Sequence, residues 1–465
     1  MSGLGNGGHW DGEVDVAIVG GGACGTMTAL RAADRADLTI AVFEKSTREG
    51  CNAAISSGSL AAGGTRFQRA AGIDDSPQQF VADILRASDD EEWRPVVEAL
   101  CAVAPAMVEW VADSGYPVEI GTDMPRAGMS VPRLHTDVGR QGGGRLMRHL
   151  HGLLAQRPGV AFVDEAPVVG LIAGSGPLGA RVVGVEVAQN GAVQRIRADH
   201  VVLAADGFAA DPALAKEHLA HLGRPFYGGV ATSTGDALGW ATALGARLRN
   251  MGAGLRSGLV VVDRGTRVSP ALQFNGAVLI NTAGHRFVDE ESKGYSGMAG
   301  VLQQQPGERA AMVWDATAMA ATRESEMMRE TLAAGGIRDL ATLEELAAAL
   351  GLPVGATTAA LAALPGRRQL LAPYHLAWVT HGLLTTQGGL VIDPAGHVLD
   401  AGGVPIPGLY AGGGTACGLA GPSSDGYLSG NGLLSALGMG WIIGTALAAP
   451  SSSPPTSGHV GRLRP

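Results

Sequence analysis

The 465 residues carry a formal net charge of -9, 46% hydrophobic residues and a mean hydropathy of +0.16, which excludes a disordered chain and offers no basic surface for nucleic acid. With 71 glycines against 5% aromatics, the composition predicts an α/β protein rich in tight turns and ligand-facing backbone. The four cysteines, Cys24, Cys51, Cys101 and Cys417, have neither CxxC spacing nor a disulfide pattern, so no metal site is expected and a reducing compartment is the default.

The N-terminal MSGLGNGGHWDGEVD lacks a basic segment followed by an apolar export segment, which predicts a cytoplasmic protein with a flexible start over residues 1–12. VDVAIVGGGACGTMTALRAA then begins with an apolar strand, Val14 to Val19, turns through Gly20, Gly22 and Gly25, and enters a helix through Ala23 and Cys24. The spacing is GxGxxG. A bare match also marks ordinary tight turns, but the next apolar run, LTIAVFEKS, ends at Glu44 and Lys45, where an acid can accept both ribose hydroxyls of a dinucleotide. Asp34 and Glu49 read as surface charge. Between NAD and FAD, the rest of the chain favours FAD. GCNAAISSGSLAAGGTRF, residues 50 to 67, brings small side chains and backbone donors, including Asn52, Ser56, Ser57, Gly58, Gly63 and Gly64. VVLAADGFAAD, with Ala205, Asp206 and Gly207, and PIPGLYAGGGTACG, with Gly413, supply two more strand-and-glycine turns far downstream. A long flavin lying across the fold accounts for such returns; plain crossovers of a doubly wound sheet are the competing account.

Between these anchors, residues 78 to 113 read as helices with Cys101 packed inside the second, and residues 144 to 172 as helix, turn and strand. GARVVGVEVAQNGAVQRIRADHVVLAAD reads as strands around a polar hairpin. His149 and His151 read as helix surface or packing residues. From residue 232 the pattern shifts toward an inserted module of strands and amphipathic helices, including LATLEELAAALG, which ends at Gly351. The expected architecture is a Rossmann-like FAD-binding domain (13–231 and 373–448) split by an α+β substrate-capping domain (232–372), with a flexible tail over 449–465. WIIGTALAA is short and glycine-punctuated, a buried helix rather than a membrane span.

This succession of motifs, across roughly residues 12 to 447, resembles the fumarate-reductase and ketosteroid-dehydrogenase superfamily of FAD enzymes. The resemblance implies that Gly20, Gly22 and Gly25 approach the pyrophosphate, that Glu44 binds ribose, that Val168 lies near the adenine and that Asp206 belongs to a second FAD contact. Gly432, Leu433 and Leu434 join the same set. Relatives that attach FAD through histidine carry it near Asn52, so noncovalent attachment is expected here.

Two reaction directions remain open. The resembling reductases hold dicarboxylates with cationic side chains and deliver a proton from arginine. Here the corresponding positions fall near Gly294 in GHRFVDEESKGYSG, at Thr385 in TTQGG and at Tyr427 in SDGYLSGNG. The resembling ketosteroid dehydrogenases carry tyrosines in two of these regions, matched by Tyr295, with a one-residue slip, and Tyr427; Tyr116 is the nearest match to a third. The leading expectation is therefore α,β-dehydrogenation of a cyclic ketone, steroid-like or smaller. Tyr427 and the backbone N–H groups around Gly430, Asn431 and Gly432 would stabilise the enolate oxygen and Tyr295 would be the base. A tyrosine anion at neutral pH costs roughly 4 kcal/mol and needs a stabiliser. His381 would polarise a carbonyl or simply support the fold, while Arg286 reads as a structural partner of Asp289 or Glu290. The alternatives are reduction of an activated alkene such as an enoate, and a flavin-binding sensor or electron-transfer scaffold. The expected partners are a cyclic ketone or enoate and an external electron acceptor, with no membrane insertion; oligomerisation is left open.

Overall fold

The computed structural model describes residues 9–122, 128–139, 142–176, 179–292, 295–362, 364 and 367–450. The chain forms two compact units, one from Met1–His218, Val230–Ala253 and Thr386–Pro465, the other from Leu219–Gly229 and Gly254–Thr385.

The first unit is built on an eight-stranded sheet. Strand β1 (Gly12–Val19) lies between β2 (Ile40–Phe43) and Ala192–Leu203, parallel to both. Val160–Val163 extends the parallel array beyond β2, and Pro405–Ala411 extends it beyond Ala192–Leu203. Apolar runs form these strands because both faces of a parallel sheet are covered, and β1 is buried along its last four residues. Register aligns Val163, Phe43, Val19, Leu203 and Ala411 across one edge. The strands Val168–Gly176 and Gly179–Gln189 pair antiparallel, and the second forms the expected hairpin with Ala192–Leu203 around the polar turn at Asn190 and Gly191.

Helix α1 (Ala23–Ala32) crosses from β1 to β2. The apolar segment Asn431–Ala448 packs along it. A Cβ on Gly440 would lie 2.5 Å from the Cys24 carbonyl oxygen, and one on Gly444 would lie 2.5 Å from that of Thr28. Those two glycines, four residues apart, let the helix backbones approach closely. Arg31 then lays its guanidinium 4.1 Å from the Trp441 ring centroid. Asn431–Ala448 and Glu91–Asp113 are both long and apolar enough to cross a membrane. In the structure Arg94–Asp113 packs against Pro77–Ser88, and Asn431–Ala448 against α1.

The second unit is α+β, with a six-stranded sheet in which Tyr374–Thr386 is flanked by Phe226–Tyr227 and Arg309–Asp315, followed by Val278–Asn281. Gly254–Val261 and Arg338–Leu340 also pair with Tyr374–Thr386. Its boundaries differ from the expected 232–372. Tyr374–Thr386 reads locally like a return to the nucleotide fold, yet it pairs with Arg309–Asp315 along seven residues, so 373–385 belong to the inserted unit. Residues 230–253 stay with the first unit, where Asp236–Ala243 packs on the Val168–Gly176 strand.

A buried ion cluster holds the loop after the small-residue stretch. Arg133, 0% exposed, donates through Nε and NH2 to Asp75 at 2.7 and 2.8 Å, and through NH1 to Asp83. Asp83 also accepts from the Ser130 N–H and hydroxyl at 2.7 and 2.8 Å and from Arg86. Burial alone would raise the Asp83 carboxyl; the Ser130 N–H, Arg133, the Ser130 hydroxyl and Arg86 outweigh it and hold it at about 2. Its folded value lies below the ordinary aspartate value of about 4, so its contribution is complete above that value and is lost as pH falls through about 2. Asp83→Asn leaves Arg133 underpaired and is expected to cost about 3–5 kcal/mol. Urea unfolding checks this at pH 7, and the gap from the parent protein narrows in acid.

Candidate functional site

The three glycines of the first turn answer to different neighbours. Gly20 has φ +101°, and a Cβ there would lie 2.4 Å from the Ala204 carbonyl oxygen; a Cβ on Gly25 would lie 1.9 Å from that of Gly20. Packing within the chain requires both glycines. Gly22 is different, since its φ is -71° and a Cβ would meet only the Cys51 Cβ, at 3.6 Å. No protein atom requires glycine there, so the free face is left to a ligand. Gly22 also caps α1 without a side-chain acceptor, and the first turn holds no acid. First-turn N–H groups, which have no intrahelical acceptor, and the positive end of the helix dipole make this an anion cradle.

Glu44, at the end of β2, accepts from the Gly21 N–H at 2.6 Å and the Ser46 N–H at 2.9 Å. His151 Nε2 donates to the Gly21 carbonyl oxygen at 2.9 Å, so this helix histidine braces the turn. Val168 lies just past Ala166, whose N–H donates to the Glu44 carbonyl at 2.9 Å. These residues stand together at the carboxyl edge of the parallel strands, where ligands of open α/β sheets bind.

The second return joins the same edge. Asp206 adopts φ +64°, which costs strain in a non-glycine residue, and its carboxylate accepts three hydrogen bonds. Asn52 Nδ2 and the Ser233 hydroxyl donate to Oδ2 at 2.6 and 2.7 Å, and the Gly207 N–H donates to Oδ1 at 2.8 Å. Asn52 Oδ1 accepts from the Val230 N–H at 3.1 Å. Lys45 pairs with Asp236 at 3.0 Å, which ties the end of β2 to the same 230–236 segment. Ala205 lies beside Gly20, a Cβ there coming 3.3 Å from its Cα. At Gly207 a Cβ would fall 1.9 Å from Thr386 Oγ1.

The third return brings Gly413, at φ +62°, against Cys24, whose Cβ lies 3.2 Å from a Cβ placed on the glycine. Burial pushes the Cys24 and Cys417 thiols up to about 12, so both pack as small apolar groups. In the 56–64 stretch, Ser56 donates to the Ala53 carbonyl at 2.7 Å and accepts from the Gly58 N–H at 3.1 Å, while the Ser57 and Ser59 hydroxyls lie 3.0 Å apart. Gly58 lies against Gly142, and Gly63 against the Ser76 backbone; Gly64 donates to Gln68 at 2.7 Å. Packing on neighbouring loops thus accounts for those glycines.

At the last motif, a Cβ on Gly430 would lie 2.7 Å from the Ala61 Cβ, which places the start of Asn431–Ala448 against the small-residue strand Leu60–Ala61. Leu433 and Leu434 are buried. The Gly432 N–H donates to the half-buried Tyr427 hydroxyl at 3.0 Å. Asn431 is 1% exposed, and neither side-chain amide atom has a hydrogen-bond partner among the described residues.

The remaining predicted substrate residues separate. Tyr116 is 3% exposed with its ring 5.4 Å from that of His149, and burial raises its phenol further; it is a packing residue. Tyr295, His381 and Thr385 belong to the second unit. Tyr295 opens the helix Tyr295–Gln303, and Gly294 lies outside the described residues. His381 is fully buried, with Nε2 donating to Glu308 at 2.8 Å and Nδ1 accepting from Arg256 at 3.2 Å. Burial lowers its basicity, so it supports the fold as a neutral ring. Arg256, which nothing in the local sequence marks, also donates to Gln303 at 2.8 Å. Thr385, the second-to-last residue of Tyr374–Thr386, is half-buried. Arg286 grips Glu290 through two bonds, at 3.1 and 2.6 Å, the structural role its spacing suggests.

A family model described as "FAD binding domain" matches residues 15–433. The chain is similar to the NADH:fumarate oxidoreductase of Klebsiella pneumoniae (strain 342), at 27% identity over 430 residues. That match takes in 88% of this chain and 45% of that protein, so the chain spans less than half of that relative's length. It is similar to the fumarate reductase (cytochrome) of Shewanella frigidimarina, 27% identical over 467 residues, covering 94% of this chain and 77% of the relative. Among solved structures, the 3-ketosteroid-Δ4-(5α)-dehydrogenase from Rhodococcus jostii RHA1 in complex with 4-androstene-3,17-dione is similar at a TM-score of 0.72 and 26% identity, over 95% of this chain and 98% of that one.

The different surroundings of the glycines give a paired test. Gly22→Ala is expected to leave stability within about 0.5 kcal/mol and weaken FAD binding at least about tenfold. Gly25→Ala, by contrast, cannot be accommodated beside the Gly20 carbonyl and should fail to fold. Thermal unfolding and flavin-fluorescence titration distinguish the two.

Proposed function

We propose, from the premise that this chain belongs to the FAD binding domain family over residues 15–433, that it is an oxidoreductase reducing an activated carbon–carbon double bond. FAD-dependent redox chemistry on a small molecule is common to the superfamily of fumarate reductases and ketosteroid dehydrogenases that the chain joins. Similarity to a fumarate reductase over 94% of this chain carries the choice of direction.

The residues favour an alkene other than a dicarboxylate. Tyr427 and Thr385 stand where the resembling reductases place cationic groups for the substrate, so a conjugated carbonyl or single carboxylate fits better than two carboxylates. Once reduced by its external partner, FAD held here would supply a hydride to one carbon of the double bond, and a proton drawn from water would complete the other. The Gly432 N–H occupies an acceptor site of the Tyr427 oxygen, which polarises the hydroxyl as a donor toward a substrate oxygen gaining negative charge. A separate redox partner restores the flavin.

The same hydroxyl favours a second reading. A tyrosine donor is equally suited to the enolate formed when a cyclic ketone is dehydrogenated, and a ketosteroid dehydrogenase is among the similar structures. Tyr295 would be the base in that direction.

The test is anaerobic mixing. Reduced enzyme that is reoxidised by enoates or enones, with saturated product, supports reduction; oxidised enzyme bleached by cyclic ketones, with no response of reduced enzyme to any alkene, overturns it in favour of dehydrogenation. Tyr427→Phe is expected to retain FAD and to lower kcat about 100-fold. Unchanged turnover would remove Tyr427 from the mechanism.

A further inference from the structure

Among the buried side chains with a polar atom left without a partner, Asn431 is the one that leaves both a donor and an acceptor open at the glycine turns. It is 1% exposed, and both its donor and its acceptor lack partners among the described residues. Every other polar side chain at the glycine turns whose bonds are given above is satisfied within the chain: Glu44 by two N–H groups, Asp206 by three donors, Asn52 at both ends. Buried amides are bonded as a rule, because burial without a partner forfeits their hydration. An amide left open at both ends is matched by a ligand edge that offers a donor beside an acceptor.

Its position says which ligand. Asn431 opens the helix that packs on α1, and five residues later Ala436 lies 3.6 Å from a Cβ placed on Gly413, which in turn sits against Cys24. Cys24 is two residues beyond the free face of Gly22. Asn431 is thus five residues, rather more than one helical turn of about 5 Å, from the point where the glycine turns meet, a distance a ribityl chain spans. On its other side, Gly430 abuts Ala61 in the small-residue strand.

We propose that the Asn431 side-chain amide binds the pyrimidine edge of the FAD isoalloxazine, with Oδ1 accepting from N3–H and Nδ2 donating to a neighbouring carbonyl oxygen of the ring. The proposal rests on FAD binding and not on the direction of the reaction.

The experiment uses the FAD-loaded protein without substrate. Asn431→Leu keeps the branched shape and removes both polar atoms. It is expected to raise the FAD dissociation constant at least tenfold and to shift the flavin midpoint potential. FAD methylated at the pyrimidine N3 supplies the second arm: the parent protein binds it at least tenfold more weakly than FAD, and Asn431→Leu discriminates between the two by less than threefold. If Asn431→Leu binds FAD with unchanged affinity and potential, the amide does not meet the flavin and the proposal fails. A change confined to KM for an alkene or ketone likewise overturns it by assigning the amide to the substrate. If the leucine variant does not fold, Asn431→Ala, which also removes both polar atoms, gives the same comparison.

Discussion

Parallel register is the constraint on which the first unit depends. Val163, Phe43, Val19, Leu203 and Ala411 come from segments dispersed over most of the chain, yet hydrogen-bonded pairing lines them up in one row. Whatever follows each strand must then emerge at the same edge. Glu44, Gly20, Ala204 and Gly412 are neighbours for that reason, and a one-residue slip in any pairing would separate them and turn side chains to the wrong face.

The glycines at that edge divide into those the chain needs and those a ligand needs. Gly20, Gly25, Gly207 and Gly63 each touch protein where a side chain would stand, whereas Gly22 does not. The same distinction runs through the last helix, where Gly440 and Gly444 serve packing on α1 while Asn431 at its start presents an unmet amide. One helix therefore both fastens the first crossover and closes the edge above it.

Local pattern made the nucleotide half legible. The apolar runs of β1 and β2, the glycine spacing and Glu44 are all short-range features, and the hairpin of Gly179–Gln189 with Ala192–Leu203 announced itself by its polar turn. What stayed hidden depends on pairing between distant segments. Tyr374–Thr386 looks like a strand of either unit, and only its partners assign it. Ser233 lies in an unremarkable STGD run, and no local signal connects it to Asp206 or Asn52. Tyr116 and His381 carry chemistry-bearing side chains, but a burial environment made by remote residues turns them into packing and support. Asn431 was expected at the substrate; that its amide has no partner among the described residues was not legible, because a missing partner has no sequence signature.

The placement of Pro405–Ala411 has a consequence for synthesis. This strand pairs with Ala192–Leu203 from roughly two hundred residues away, a long-range closure of the kind that slows folding. Until it emerges, the last residues of Ala192–Leu203, Val201 to Leu203, carry an open edge, with unpaired N–H and C=O groups exposed to any other extended chain. The glycine turn at 412–414 and the helix on α1 are also still to come. Cofactor capture is thereby deferred to the last stage of chain assembly, and the interval before it is when the protein is most exposed to misassociation.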